Sequence, residues 1–128
     1  MTYEEQQEYN KLPEEVKAAY NYEKSRHPGW DHGQILAKAT IGINFDKQIE
    51  NGRLDVTKKN PDGTIDVPPD LMAEILKGAK EVLLNLGIVL DSFFEAIDAA
   101  LNVLGNIIEA GINYIGDKLK TFWDWLTN

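Results

Sequence analysis

The 128-residue chain contains no cysteine and has fewer basic than acidic residues. The lack of cysteine excludes disulfide bonds and thiolate zinc sites, although it does not fix a cellular compartment. Thirteen Lys and Arg residues stand against 21 Asp and Glu residues, which gives a net charge of −8. Nucleic-acid-binding proteins normally carry a basic patch, and the one local basic cluster here is Lys58-Lys59. We therefore expect no DNA or RNA partner, and anionic membrane surfaces are disfavoured for the same reason.

Long hydrophobic runs are also missing. A transmembrane helix needs about 18 or more nearly uncharged residues, and the longest uncharged runs, 82–90 and 99–108, are shorter. The first residues show neither the basic nor the apolar region of a signal peptide. These absences predict cytoplasmic synthesis without a transmembrane segment, with a virion or another large assembly as the candidate final site.

Motifs for catalysis and cofactor binding are absent as well. No serine stands in an obvious triad order with a histidine, and no glycine-rich loop could hold a phosphate. His27 and His32 flank Asp31 within six positions and could hold a metal, but Asp31 fits the role of a helix cap better. Carboxylate pairs such as Asp91 and Glu95 fit a solvated helix face better than an acid–base pair. The sequence predicts no enzyme, no cofactor and no metal site.

The first 52 residues show the start and stop signals of short helices. Thr2 with Glu5 forms a weak capping box, and Pro13 suits the first turn of a second helix, which ends before Pro28-Gly29. Asp31 followed by Gln34 forms a clearer capping box for a third helix, and Asn51-Gly52 is a natural stop.

Residues 54–67 change to a two-residue period. Leu54–Thr57 and Thr64–Val67 alternate between apolar and polar residues, and Asn60–Gly63 between them has strong turn chemistry. This pattern predicts a β-hairpin. Because two strands alone are only marginally stable in water, the hairpin would need a helix or another chain to pack against.

From Asp70 to Leu126 the sequence follows an 11-residue repeat. Steps of four, three and four residues from Ile75 reach fifteen apolar residues in succession, and the same steps from Asp91 reach ten polar ones. An 11-residue period corresponds to about 3.67 residues per turn, close to a straight α-helix. We predict one long amphipathic helix, continuous or kinked, which Asp70 caps. The alternative is a helical hairpin that breaks at Gly105-Asn106.

The predicted fold is mainly α, with a small head of helices and a β-hairpin (1–69) and a long amphipathic helix (70–128). A head of that size could not cover so long an apolar strip, so the strip should bind a partner. Two sets of residues are the candidate sites. The helix seam comprises Leu86, Leu90, Phe93, Ile97, Leu101, Leu104, Ile108, Ile112 and Ile115, and the C-terminal aromatic anchor comprises Phe122, Trp123 and Trp125.

These features favour a non-enzymatic structural protein that forms homo-oligomers or docks into a larger assembly. A phage virion or a secretion apparatus is a fitting setting, by analogy alone. The alternative is a membrane-active protein, either a pore-former or a peripheral protein, whose C-terminal aromatic anchor enters the lipid interface. The acidic polar face argues against this alternative, because basic residues usually line that face in membrane-surface helices.

Overall fold

The computed structural model describes residues 1–58, 60–61 and 66–110, and this part of the chain is a bundle of five α-helices with no β-strand. The helices are α1 (Tyr3–Asn10), α2 (Glu14–Arg26), α3 (His32–Glu50), α4 (Pro69–Asn85) and α5 (Asp91–Glu109). Helix α2 packs on α3, α3 on α4, and α4 on α5.

Side-chain caps begin two of the helices, and both predicted capping boxes are confirmed. The hydroxyl of Thr2 accepts a hydrogen bond from the Glu5 N–H, and the Glu5 carboxylate accepts one from the Thr2 N–H. Asp31 and Gln34 make the same reciprocal pair at the start of α3. Each pair satisfies backbone donors that would otherwise lack partners at a helix start.

Helix α3 ends at the predicted stop, Asn51-Gly52. Gly52 has φ +74°, its N–H donates to the Ile49 carbonyl, and the Arg53 N–H donates to the Gln48 carbonyl. This Schellman pattern closes the last turn, and glycine adopts its left-handed conformation without steric cost.

The predicted β-hairpin is wrong. Residues 54–58 form irregular chain and a turn, in which the Asp55 carboxylate accepts a hydrogen bond from the Thr57 N–H. This local Asx turn competes with strand pairing for the backbone. Thr64 and Ile65, in the second predicted strand, lie outside the described residues. Leu54 and Val67 do not face each other in a ladder but are buried in the helical core.

The single long C-terminal helix is also wrong, because the chain bends at Gly87. Gly87 has φ +72°, its N–H donates to the Leu84 carbonyl, and the Ile88 N–H donates to the Leu83 carbonyl at 2.9 Å. Helix α4 thus ends in a second Schellman motif, whose accompanying apolar pair, Leu83 and Ile88, is fully buried. Residues 86–90 then connect α4 to α5, and the N-cap of α4 is Pro68, not Asp70.

The bend at Gly87 lets the two halves of the apolar strip pack together on α3. The fully buried large side chains of the core include Leu36, Ile41, Ile75, Leu76, Leu83, Ile97 and Leu104. The polar stripe of α5 points to solvent at all six of its positions: Asp91, Glu95, Asp98, Asn102, Asn106 and Glu109. Much of the strip between residues 70 and 104 is therefore covered by this chain itself.

Among the residues described, no helix combines the length and the apolar character needed to cross a membrane.

Two glycines are expected to respond to alanine in opposite directions. Gly87→Ala places a side chain at φ +72° and should lower the free energy of unfolding by about 1 kcal/mol. Gly105 lies inside α5 with open space around it, so Gly105→Ala should raise the free energy of unfolding by up to about 1 kcal/mol. Urea denaturation of the two variants measures both values. A stabilising Gly87→Ala substitution would contradict the bend described above.

Candidate functional site

The described seam residues differ widely in exposure. Ile97 and Leu104 are fully buried inside the bundle, whereas Ile108 remains 46% exposed. The half-buried members are Leu86, Leu90, Phe93 and Leu101. Two seam residues, Ile112 and Ile115, lie outside the described residues, as does the whole aromatic anchor of Phe122, Trp123 and Trp125. Within the described part, the seam is thus divided between the core and the surface.

A groove of about 480 Å³ opens between the first turns of α3 and the first turns of α5. We call it the α3–α5 groove. Two seam residues, Leu90 and Phe93, line it together with Val89, a large hydrophobic residue that is 59% exposed. The remaining lining residues are Asp31, Gly33, Gln34, Ala37, Asp91, Ser92 and Ala96.

Two local structures set the shape of the groove. The Asp31–Gln34 capping box fixes where α3 begins. The Schellman motif at Gly87 turns the chain into α5, which leaves Val89 exposed while Leu90 packs partly against the core. Small residues, Gly33 among them, line the α3 side and leave the space open. A mostly apolar concavity with a few polar groups is typical of a binding site.

A largely buried network of polar side chains links α1 to α2 and α3. The His32 ring lies 2.8 Å from the Glu8 carboxylate through Nε2 and 3.0 Å from the Tyr20 hydroxyl through Nδ1. Burial raises the pKa of the Tyr20 phenol, and nearby Glu5 adds to this shift. Helix α1 has no buried residue, so these polar contacts, with the edge-to-face packing of Tyr9 on Tyr20, hold it in place. Because Tyr20 is only 2% exposed, we interpret this polar network as structural.

A second polar cluster lies between the end of α2 and the middle of α3. The His27 ring stacks on Trp30 with 3.7 Å between centroids, and its Nε2 atom lies 3.6 Å from a Glu23 carboxylate oxygen. Desolvation lowers the pKa of buried Lys38, while the charge of Glu23 opposes that shift. These contacts join the end of α2, the α2–α3 connection and α3.

The two histidines and Asp31 do not converge on a common point. Both ring nitrogens of His32 are engaged by Glu8 and Tyr20, and the Asp31 side chain caps α3. Among the residues that the structure describes, no group of three or more His, Asp or Glu side chains could hold a metal ion.

The described fold and groove define a small helical-bundle protein with an open apolar groove. Comparison with family models, with curated proteins and with solved structures finds no match to this chain. The groove itself is therefore the basis for a functional assignment.

Sequence reasoning selected two groove residues, Leu90 and Phe93, as part of the seam and missed the others. Val89 falls outside the 11-residue stripe, and the sequence favours Asp31 as a helix cap over a metal ligand. The one local signal was Gly87, whose tolerance of positive φ allows the bend that exposes Val89.

Proposed function

We propose that this protein is a non-enzymatic assembly protein that binds other protein chains through the α3–α5 groove. The observation that carries the proposal is the exposure of Val89 at 59%, next to half-buried Leu90 and Phe93 in one concave surface. Exposure of these apolar side chains to water is unfavourable, and a partner side chain that fills the groove would bury them.

The composition of the groove supports protein binding over chemistry on a substrate. Both of its carboxylates serve the helices that carry them: Asp31 caps α3, and Asp91 occupies the first turn of α5, where negative charge is favourable. Its other polar side chains are Gln34 and Ser92. An apolar centre with a polar rim is the usual arrangement of a protein interface.

A titration with a model peptide tests the proposal. The probe is an amidated helical peptide of Ala and Lys with a single Trp, added to ¹⁵N-labelled full-length protein. Chemical-shift changes should concentrate at residues 31–37 and 89–96, and Val89→Asp should weaken binding about tenfold or more by placing a charge in the apolar surface. Leu84→Asp is the matched control, because Leu84 is 48% exposed and does not line the groove. Absent binding, or equal binding by the Val89→Asp protein, would refute the proposal.

A further inference from the structure

The α3–α5 groove carries negative charge without a compensating base. Asp31 and Asp91 both line it and both are exposed, and none of its lining residues is Lys or Arg. The described part of the chain contains no ion pair to Asp91. An aromatic or aliphatic side chain next to a basic group would therefore complement the groove in both shape and charge.

The last turns of α2 present such a surface. Tyr22 is 57% exposed, and the Arg26 guanidinium lies over its ring at 5.5 Å from the centroid, with Nη1 donating to the Tyr22 hydroxyl at 3.3 Å. We call this pair the Tyr22–Arg26 edge. Arg26 forms no salt bridge with any carboxylate of the described residues. Tyrosine and arginine are enriched at the energetic centres of protein interfaces, and this stacked pair is already ordered.

The edge and the groove lie at the same end of the molecule. The last turn of α2 connects to the first turn of α3 through residues 27–31 only, and α3 begins at the groove. Two complementary surfaces at one end of a chain can both be used at once when two copies are related by a two-fold axis. Such closed, symmetric dimers are the commonest form of protein self-association.

We propose that two copies of this chain form a two-fold symmetric dimer, in which the Tyr22–Arg26 edge of each copy enters the α3–α5 groove of the other. The Tyr22 ring packs on Val89 and Phe93 of the second copy, and the Arg26 guanidinium pairs with Asp91. This inference rests on the proposed function, because it names the partner that the groove binds.

The net charge of −8 opposes the approach of two copies. At about 0.15 M salt, however, exposed charges more than about 8 Å apart are largely screened. The short-range pair of Arg26 with Asp91 is screened less than the distant acidic residues. The dimer should therefore become more stable as salt rises from very low to physiological concentration. A contact based on long-range attraction between oppositely charged surfaces would become weaker over the same range.

Charge reversal tests the pairing directly. Sedimentation equilibrium of the full chain at about physiological salt should show a monomer–dimer equilibrium, and Arg26→Asp or Asp91→Arg should each weaken it about tenfold or more. The double variant, Arg26→Asp with Asp91→Arg, restores opposite charges and should dimerise more strongly than either single variant. Recovery should be partial, because the guanidinium that stacks on Tyr22 is lost. The double variant also controls for any effect of Asp91→Arg on the start of α5.

Matched controls change the same charges elsewhere. Glu95→Arg alters α5 one turn away on its polar face, and Lys77→Asp alters exposed α4; both should leave the dimer unchanged. A protein that stays monomeric at all soluble concentrations, single variants that dimerise normally, or a double variant without recovery would each overturn the inference. Oligomers that grow beyond two copies would overturn the two-fold arrangement. The peptide titration still decides the proposed function in each case, because it needs no second copy.

Discussion

Replacement of Ile97 by aspartate is expected to prevent this chain from folding. Ile97 is 0% exposed and belongs to the core that α4 and α5 share with α3. A carboxylate there would be buried without a partner, at a cost of several kcal/mol, and the isoleucine's own burial would be lost. Since a domain of this size is typically stable by about 5–15 kcal/mol, one such change can remove most of the stability.

Far-ultraviolet circular dichroism and urea denaturation measure this outcome. The Ile97→Asp protein should show reduced helicity in buffer, or a transition midpoint shifted far towards zero denaturant. Ala99→Asp is the matched control, because Ala99 lies on the same helix but is exposed and does not line the groove. It should lower the free energy of unfolding by about 1 kcal/mol at most, through the lower helix propensity of Asp and its repulsion by Glu95.

This experiment also separates two interpretations of the apolar strip. If Ile97 belonged to a free helix that meets other copies, its replacement would abolish association and leave a helical monomer. In the bundle, the same side chain supports the fold of the single chain. A folded, monomeric Ile97→Asp protein with unchanged urea stability would contradict the core described here.

The helix starts could be predicted from sequence because capping chemistry is local. Asp31 and Gln34 are three residues apart, and their reciprocal hydrogen bonds need no distant part of the chain. The stop at Gly52 is equally local, since the φ of +74° suits glycine. These signals mark the bounds of α3 within the local sequence.

The bend at Gly87 could not be predicted in the same way. The apolar stripe continues in phase from Val82 through Leu86 and Leu90 into α5, and the sequence pointed to Gly105-Asn106 as the place for a break. What distinguishes the two glycines is packing. Ile88, just after the turn at Gly87, is fully buried, whereas Gly105 lies inside α5 with open space around it. Periodicity reports which residues share a face but not which neighbour covers that face.

The hairpin prediction failed for a related reason. Alternation of apolar and polar residues is typical of strands, but two isolated apolar positions can also anchor irregular chain to a core. Leu54 and Val67 are 6% and 3% exposed, and the Asp55 side chain takes the Thr57 N–H that a ladder would have used.

The groove is the least predictable feature because its two sides are far apart in sequence. Residues 31–37 form one side and residues 89–96 form the other. The seam pattern identified Leu90 and Phe93 because both are in phase with the repeat. Only the bend leaves Val89 exposed in the same surface and brings the start of α3 opposite, and no local pattern encodes that contact.

Two neighbouring leucines at the end of α4 should differ greatly when changed to alanine. Leu83 is 0% exposed and Leu84 is 48% exposed, although they have the same chemistry and adjacent positions in one helix. Leu83→Ala should lower the free energy of unfolding by about 2–5 kcal/mol, because it leaves a cavity beside Ile88 and removes the apolar contact of the Schellman motif. Leu84→Ala should change it by less than about 0.5 kcal/mol.

Urea denaturation measures both free energies of unfolding, and the comparison is direct if the two variants have equal m-values. The change in helix propensity is the same in both variants, because each replaces Leu by Ala in one helix. Amide hydrogen exchange adds a local measurement: Leu83→Ala should speed exchange of the Gly87 and Ile88 N–H groups, which close the motif. In a continuous helix across Gly87, the Ile88 N–H would instead donate to the Leu84 carbonyl. Leu83→Ala and Leu84→Ala would then change the exchange rate of the Ile88 amide to a similar extent. Similar losses for both variants would therefore contradict the bend, and a large difference confined to Leu83 would support the buried Leu83–Ile88 contact as the feature that turns the chain.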